Sequence, residues 1–212
     1  ERPVELDTMA SLVEGMADAG QSMAGASGGR ADANKKQREG VKNGGNMAAV
    51  LNVLETCWGD VGLTLSLPYQ GLGNAAIAAV ATDEQLEAFG KTWASMAITE
   101  PSFGSDSSAV STTAKLDGDE YVINGEKIFV TAGERSDSVV VWATLDKSKG
   151  RAAIKSFLVK KGTPGFTVER LEEKLGIRSS DTAVLRLDNV RVPKENLLGS
   201  PDIDVKKSFA GA

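Results

Sequence analysis

Residues 98–106 read Ile-Thr-Glu-Pro-Ser-Phe-Gly-Ser-Asp, and most of them are poorly suited to filling a core. Thr99 closes a short apolar run, and Glu100 precedes Pro101. A residue before proline is pushed out of the α region into extended backbone. Gly104 lets the backbone approach a ligand closely. Successive N–H groups in such a turn make an anion-binding nest, to which the Ser105 hydroxyl adds a donor. Taken by itself, the same stretch also suits an ordinary helix-to-sheet connection.

The 212 residues include no histidine and one cysteine, Cys57. Ser-His-Asp and Cys-His nucleophile pairs are therefore excluded within this chain. Acid–base work falls to Glu, Asp, Lys, Tyr or water. Glu100 is the tempting candidate, but its proline neighbour and loop position suit a structural or solvent-facing role, so no catalytic residue is assigned. One cysteine rules out an intrachain disulfide, and with no histidine a zinc site of the usual kind is not expected.

Apolar content is 41% and charged content 25%, values of an ordinary globular chain with a real core. A net charge of −5 without a basic cluster argues against nucleic acid as a partner. No apolar run approaches the length of a membrane span. The opening "ERPVELD" lacks the features of a secretory signal. A soluble, cytoplasmic protein is the expectation.

The elements that must position the 98–106 loop fall into two halves of different period. Residues 1–92 are expected to be a helical domain. Met9, Leu12, Val13 and Met16 follow helical spacing, with Asp7 as N-cap and Gly20 as stop. Residues 21–45 carry six glycines and five Lys or Arg, and are expected to be a mobile loop. A second helix fits Met47 to about Val61, with Val50, Leu54, Cys57 and Val61 on a core-facing stripe. A third fits Gly73–Ala81, and a fourth starts at Thr82, where "TDEQ" matches the capping box. "GLGNAA", residues 71–76, matches a dinucleotide fingerprint, but Pro68 precedes it and no parallel strand follows. Its glycines are read as close helix packing.

From 107 to 193 the period becomes two. Strands are expected at 109–116, 138–145, 152–161, 166–171 and 183–192. "DEYVINGEKIFVT" is expected to be a hairpin turning at Asn124-Gly125. The predicted class is α+β: an N-terminal helical domain, then an antiparallel β-barrel or sandwich over 93–200, then a helical domain barely begun at 201–212. "KKSFAGA" reads like the opening of a helix, so a fragment of a longer protein is expected.

Four separated motifs occur in order: "MAITEPSFGSD", "YVINGEKIFVTAG", "KLGIRSSDT" and "VRVPKENLLG". Together they resemble the acyl-CoA dehydrogenase family closely over 93–200. "LPYQGLGNAAIAAVATDEQ" also looks like the family's helix leading to its β-domain. The resemblance implies FAD lying between the β-domain and a following four-helix bundle. It implies that Thr99, with Ile98 and Met96, bonds the pyrimidine end of the flavin. It implies that Ser105, beside Gly104, serves both the FAD pyrophosphate and the CoA region, and so binds cofactor and substrate. Phe129, Val130 and Thr131 match the segment on the flavin's other face, with Thr131 near the N5 edge.

The reaction so implied is α,β-dehydrogenation of an acyl-CoA thioester. The resemblance also implies that electrons pass to an electron-transferring flavoprotein and that the protein forms a homodimer or homotetramer. The sequence departs from the family pattern at Phe129, where Trp is commoner, at Met96, where Tyr or Phe is commoner, and at "SFG", where Gly-Ala-Gly is usual. Both positions of the family's catalytic Glu fall beyond Ala212, and the usual Pro-Glu-Glu-Tyr-Gly-Gly stretch has no counterpart in 21–45. Rival expectations are a non-catalytic fragment, a partner in a hetero-oligomer, or an acyl-CoA oxidase or flavin hydroxylase on the same scaffold.

Overall fold

The structure, a computed structural model, describes residues 44–67 and 72–203. The helix expected near 9–20, most of the glycine-rich stretch and the helix start after 203 lie outside them.

Among the described residues, four helices come first. α1 spans Gly44–Gly59 and α2 Val61–Leu65. Asp60 separates them, because its carboxylate accepts the Leu63 N–H at 2.7 Å and caps α2. The expected core stripe of α1 is corrected: Val50 and Leu54 are exposed, Val61 is partly exposed and Cys57 is half-buried. A stripe at helical spacing reports a face that favours burial, not what buries it, and among the described residues nothing covers this one. α3 spans Leu72–Val80 and α4 Asp83–Phe89. The capping box of α4 is formed, with Gln85 N–H donating to Thr82 Oγ1 and Thr82 N–H to Gln85 Oε1. The same Gln85 amide donates to the carbonyls of Glu195 and Leu197, tying the helices to the end of the sheet.

The sheet has seven strands: β1 Ala94–Ala97, β2 Thr113–Asp117, β3 Glu120–Thr131, β4 Ser138–Thr144, β5 Ile154–Lys160, β6 Phe166–Leu171 and β7 Thr182–Pro193. The order is β1-β4-β2-β3-β7-β6, with β5 also paired to β4. Pairing is antiparallel except that β4 runs parallel to β1 and, at one residue pair, to β2. β4 is buried throughout. Its Val139, Val141 and Ala143 face one core with Ile123, Phe157 and Leu185. Val140 and Trp142 face the other, where Ala76 and Ile77 of α3 cover the sheet. Period two on both faces thus places β4 between a core of strands and a layer of helix.

Gly73 explains how α3 gets so close. A Cβ there would stand 2.3 Å from the Ser95 carbonyl oxygen and 2.5 Å from that of Ala94. Asn74 fixes the contact by donating to the Thr92 carbonyl and accepting the Ala94 N–H. The glycine in "GLGNAA" serves packing, as its context predicts.

The expected hairpin at Asn124-Gly125 is corrected. The turn lies at Gly118-Asp119, between Asp117 and Glu120, which pair across it. Gly118 sits at φ +65° in the first central position, where type II′ turns place glycine. Asn124-Gly125 lies inside the single strand β3, at a register shift against β7. Gly125 is needed there because a Cβ would meet Thr112 Oγ1 at 2.3 Å. Asn124 Oδ1 accepts the Asn189 N–H at 2.8 Å, so the pair that resembles a turn works as a bulge.

Candidate functional site

The ends of β1 and β3 meet beside α2 and α3 and enclose a cleft of about 320 Å³. Met96, Ile98 and Thr99 form one wall, Ile128, Phe129, Thr131 and Ala132 the other. The walls are joined by a 2.9 Å hydrogen bond from the Ile128 N–H to the Thr99 carbonyl.

Phe129 is exposed because the backbone turns it outward. The β3–β7 register shifts between Lys127 and Val130, and Phe129 adopts φ +57°. A bulky residue in the left-handed region is uncommon and costs on the order of 1 kcal/mol or more. Its ring is 61% exposed, while the next residue, Val130, is core at 1%. Ala132 repeats the left-handed conformation at φ +56°. The turn that follows is held by Asp181, whose carbonyl accepts the Ala132 N–H and whose carboxylate accepts the Glu134 N–H at 2.9 Å.

Behind the cleft lies a buried ion pair. Lys127 Nζ is 2.8 Å from Glu100 Oε1 and also donates to the Ile98 carbonyl at 3.2 Å. The Glu100 carboxylate also accepts the N–H groups and hydroxyls of Ser111 and Thr112, at 2.5 to 2.9 Å. Both side chains are almost completely removed from solvent. Burial alone would raise the Glu100 carboxyl, but the charge of Lys127 and the bonds from Lys127, Ser111 and Thr112 outweigh it and hold it at about 2. Burial pushes the Lys127 ammonium down to about 8, against the pull of Glu100. Glu100 is therefore an anion fully engaged in structure.

The eight candidate residues separate. Met96, Ile98, Thr99, Phe129 and Thr131 come together on the cleft. Val130 turns into the core. Gly104 and Ser105 are exposed on the loop beyond Thr99 and do not line the cleft. The loop is a tight turn closed by mutual backbone bonds between Glu100 and Phe103. A Cβ on Gly104 would have only Thr99 Cγ2 within reach, at 4.0 Å, so packing does not require glycine there. Asp106 caps the short helical turn at Ser107–Ala109.

Sequence reasoning missed Leu65, Leu72, Trp93, Ser95, Ile128 and Ala132 on the cleft. Ser95 immediately precedes Met96 on β1 and Trp93 lies just before that strand, a signal that was present; Leu65 and Leu72 arrive only through tertiary packing. Among the described residues, no lining side chain carries a carboxylate and no His, Cys, Asp and Glu cluster could hold a metal ion. No described helix is long and apolar enough to cross a membrane.

The cleft is largely apolar, rimmed by two threonines, and lies at the edge of a helix-covered sheet. Residues 95–190 match the model for the acyl-CoA dehydrogenase middle domain, and this part of the chain belongs to that family. A short-chain-specific acyl-CoA dehydrogenase of Clostridium acetobutylicum is 39% identical over 157 residues, which are 71% of this chain and 41% of that protein. Butyryl-CoA dehydrogenase of Megasphaera elsdenii superposes with TM-score 0.73 at 32% identity, covering 93% of this chain and 51% of that one. A glutaryl-CoA dehydrogenase of Mycobacterium smegmatis in complex with FADH2 superposes with TM-score 0.64 at 33% identity, covering 72% and 40%. The chain thus spans about half or less of the length of these relatives.

Proposed function

We propose that this chain supplies the flavin-facing wall of an FAD-dependent acyl-CoA dehydrogenase. The observation that carries the reading is the cleft itself: Thr99, Thr131 and the exposed ring of Phe129 converge on it from two strands. A flavin is a flat apolar ring with a polar rim, and such a ring needs an apolar wall with a few placed donors. Met96, Ile98, Ile128 and Phe129 provide the first, the two threonine hydroxyls the second. The residues present fit the group.

Bound FAD supplies the acceptor for the hydride that leaves the β-carbon of the acyl thioester. This chain's own residues bind, orient and exclude water. Thr99 and Thr131 offer hydroxyls on opposite walls, and Phe129 closes an apolar side. The α-proton is assigned to a carboxylate outside the described lining, because no described lining residue carries one. Ser105, exposed beside the cleft, is the proposed contact for the pyrophosphate of FAD or for CoA. An electron-transferring flavoprotein is the proposed recipient of the two electrons that the substrate would give up. A homodimer or homotetramer is the proposed assembly. The glutaryl-CoA dehydrogenase neighbour, crystallised with FADH2, supports the choice of flavin.

The test is anaerobic titration of the full-length, flavin-loaded protein with saturated acyl-CoAs. Bleaching of the flavin band is expected with at least one of them. A protein that takes up no flavin after reconstitution overturns the reading.

A further inference from the structure

We infer that the buried Glu100–Lys127 pair is a positioning device that sets the spacing between the two walls of the cleft. This rests on the flavin reading of the cleft. Lys127 is the last β3 residue before the register shift that turns Phe129 outward, and its ammonium crosses to β1's end, where it meets the Ile98 carbonyl and the Glu100 carboxylate. Ile98 and Thr99 line the cleft immediately before Glu100, as Ile128 and Phe129 do immediately after Lys127. The pair therefore joins the two wall segments directly beneath the surface they present. The Glu100 carboxylate is itself anchored by two N–H groups and two hydroxyls from Ser111 and Thr112, so it cannot swing to follow a displaced lysine.

Stability alone does not require such a pair. Desolvating two charges is expensive, and replacing a buried pair by apolar groups of similar size is often neutral or stabilising. What apolar groups cannot reproduce is a directional link between a strand end and a bulge. The ammonium donates to a carbonyl and a carboxylate at fixed positions. That orientation keeps the strained Phe129 backbone in place and holds Thr99 at a set distance from Thr131.

The test compares the full-length wild-type protein with E100Q and with the E100Q/K127M double variant. Four readouts are taken: thermal midpoint, FAD affinity, the shape of the bound flavin band, and amide hydrogen exchange at 98–100 and 127–131 without flavin. The double variant removes both charges together and is expected to keep a thermal midpoint near wild type. It should nonetheless bind FAD roughly tenfold more weakly, alter the flavin band, and exchange faster at those two segments only. E100Q keeps one acceptor oxygen, enough for Thr112 and Lys127 but not also for Ser111, and is expected to show a smaller shift in the same direction. A double variant with wild-type affinity, band shape and local exchange overturns the inference while leaving the flavin reading intact. So does a double variant that fails to fold together with an E100Q protein whose flavin properties are unchanged. A wild-type protein that binds no FAD overturns both.

Discussion

Thr99 and Ile128 are joined by a backbone hydrogen bond of 2.9 Å, with the Ile128 N–H donating to the Thr99 carbonyl. One bond thus seats two distant sequence motifs as opposite walls of one cleft.

Thr131 is exposed at the end of β3, so removing its hydroxyl leaves the fold untouched. Thr131→Ala is expected to weaken FAD binding by roughly fivefold, the equivalent of one hydrogen bond of about 1 kcal/mol, and to change the flavin absorption. The thermal midpoint of the flavin-free protein should not move. Fluorescence titration with FAD measures the first and a melting curve the second. Unchanged affinity would remove Thr131 from the contact.

Ser105 stands apart from the cleft, exposed on the loop after Phe103. A hydrogen bond to a charged phosphate contributes about 1.5–3 kcal/mol. Ser105→Ala is therefore expected to weaken FAD or a CoA ester about tenfold or more without changing stability. Equal affinity for both ligands, measured by calorimetry, would make the loop a connection only.

Gly73→Ala introduces a methyl against backbone carbonyl oxygens at 2.3 and 2.5 Å, which cannot rotate away. α3 must lift from β1, at a cost of about 1–3 kcal/mol. The thermal midpoint should fall by several degrees. Equal midpoints would mean the helix is not held by this contact.

Glu100 makes stability depend on acid. Its carboxyl is depressed in the fold from 4.5 to about 2, so its contribution is complete above its unfolded value and is lost as pH falls through that window. Urea unfolding between pH 5 and pH 2 should show wild type losing stability faster than E100Q. Parallel losses would show that other carboxylates account for the acid limb.

These residues also mark where sequence stops being informative. The capping box at Thr82 and Gln85 was readable because both partners lie within one turn of helix. The five cleft-lining candidates were readable from their motifs. The bulge at Asn124-Gly125 was not, because the same dipeptide serves a turn or a bulge according to which strand opposes it, and that strand, β7, lies far along the chain. The outward Phe129 and inward Val130 depend on the same distant pairing. Neither the burial of Lys127 nor its partner follows from local pattern, since a lysine in a strand ordinarily faces solvent. The exposed stripe of α1 is the converse case: periodicity was legible, its covering was not.

The central claim is that the cleft between β1 and β3 is a flavin wall. A crystal structure of the full-length protein with bound FAD tests it most directly. The claim predicts the flavin ring against Phe129 and Ile98, with the Thr99 and Thr131 hydroxyls within hydrogen-bonding distance of its polar rim. Flavin bound elsewhere, with these four side chains facing solvent or another protein surface, would contradict it.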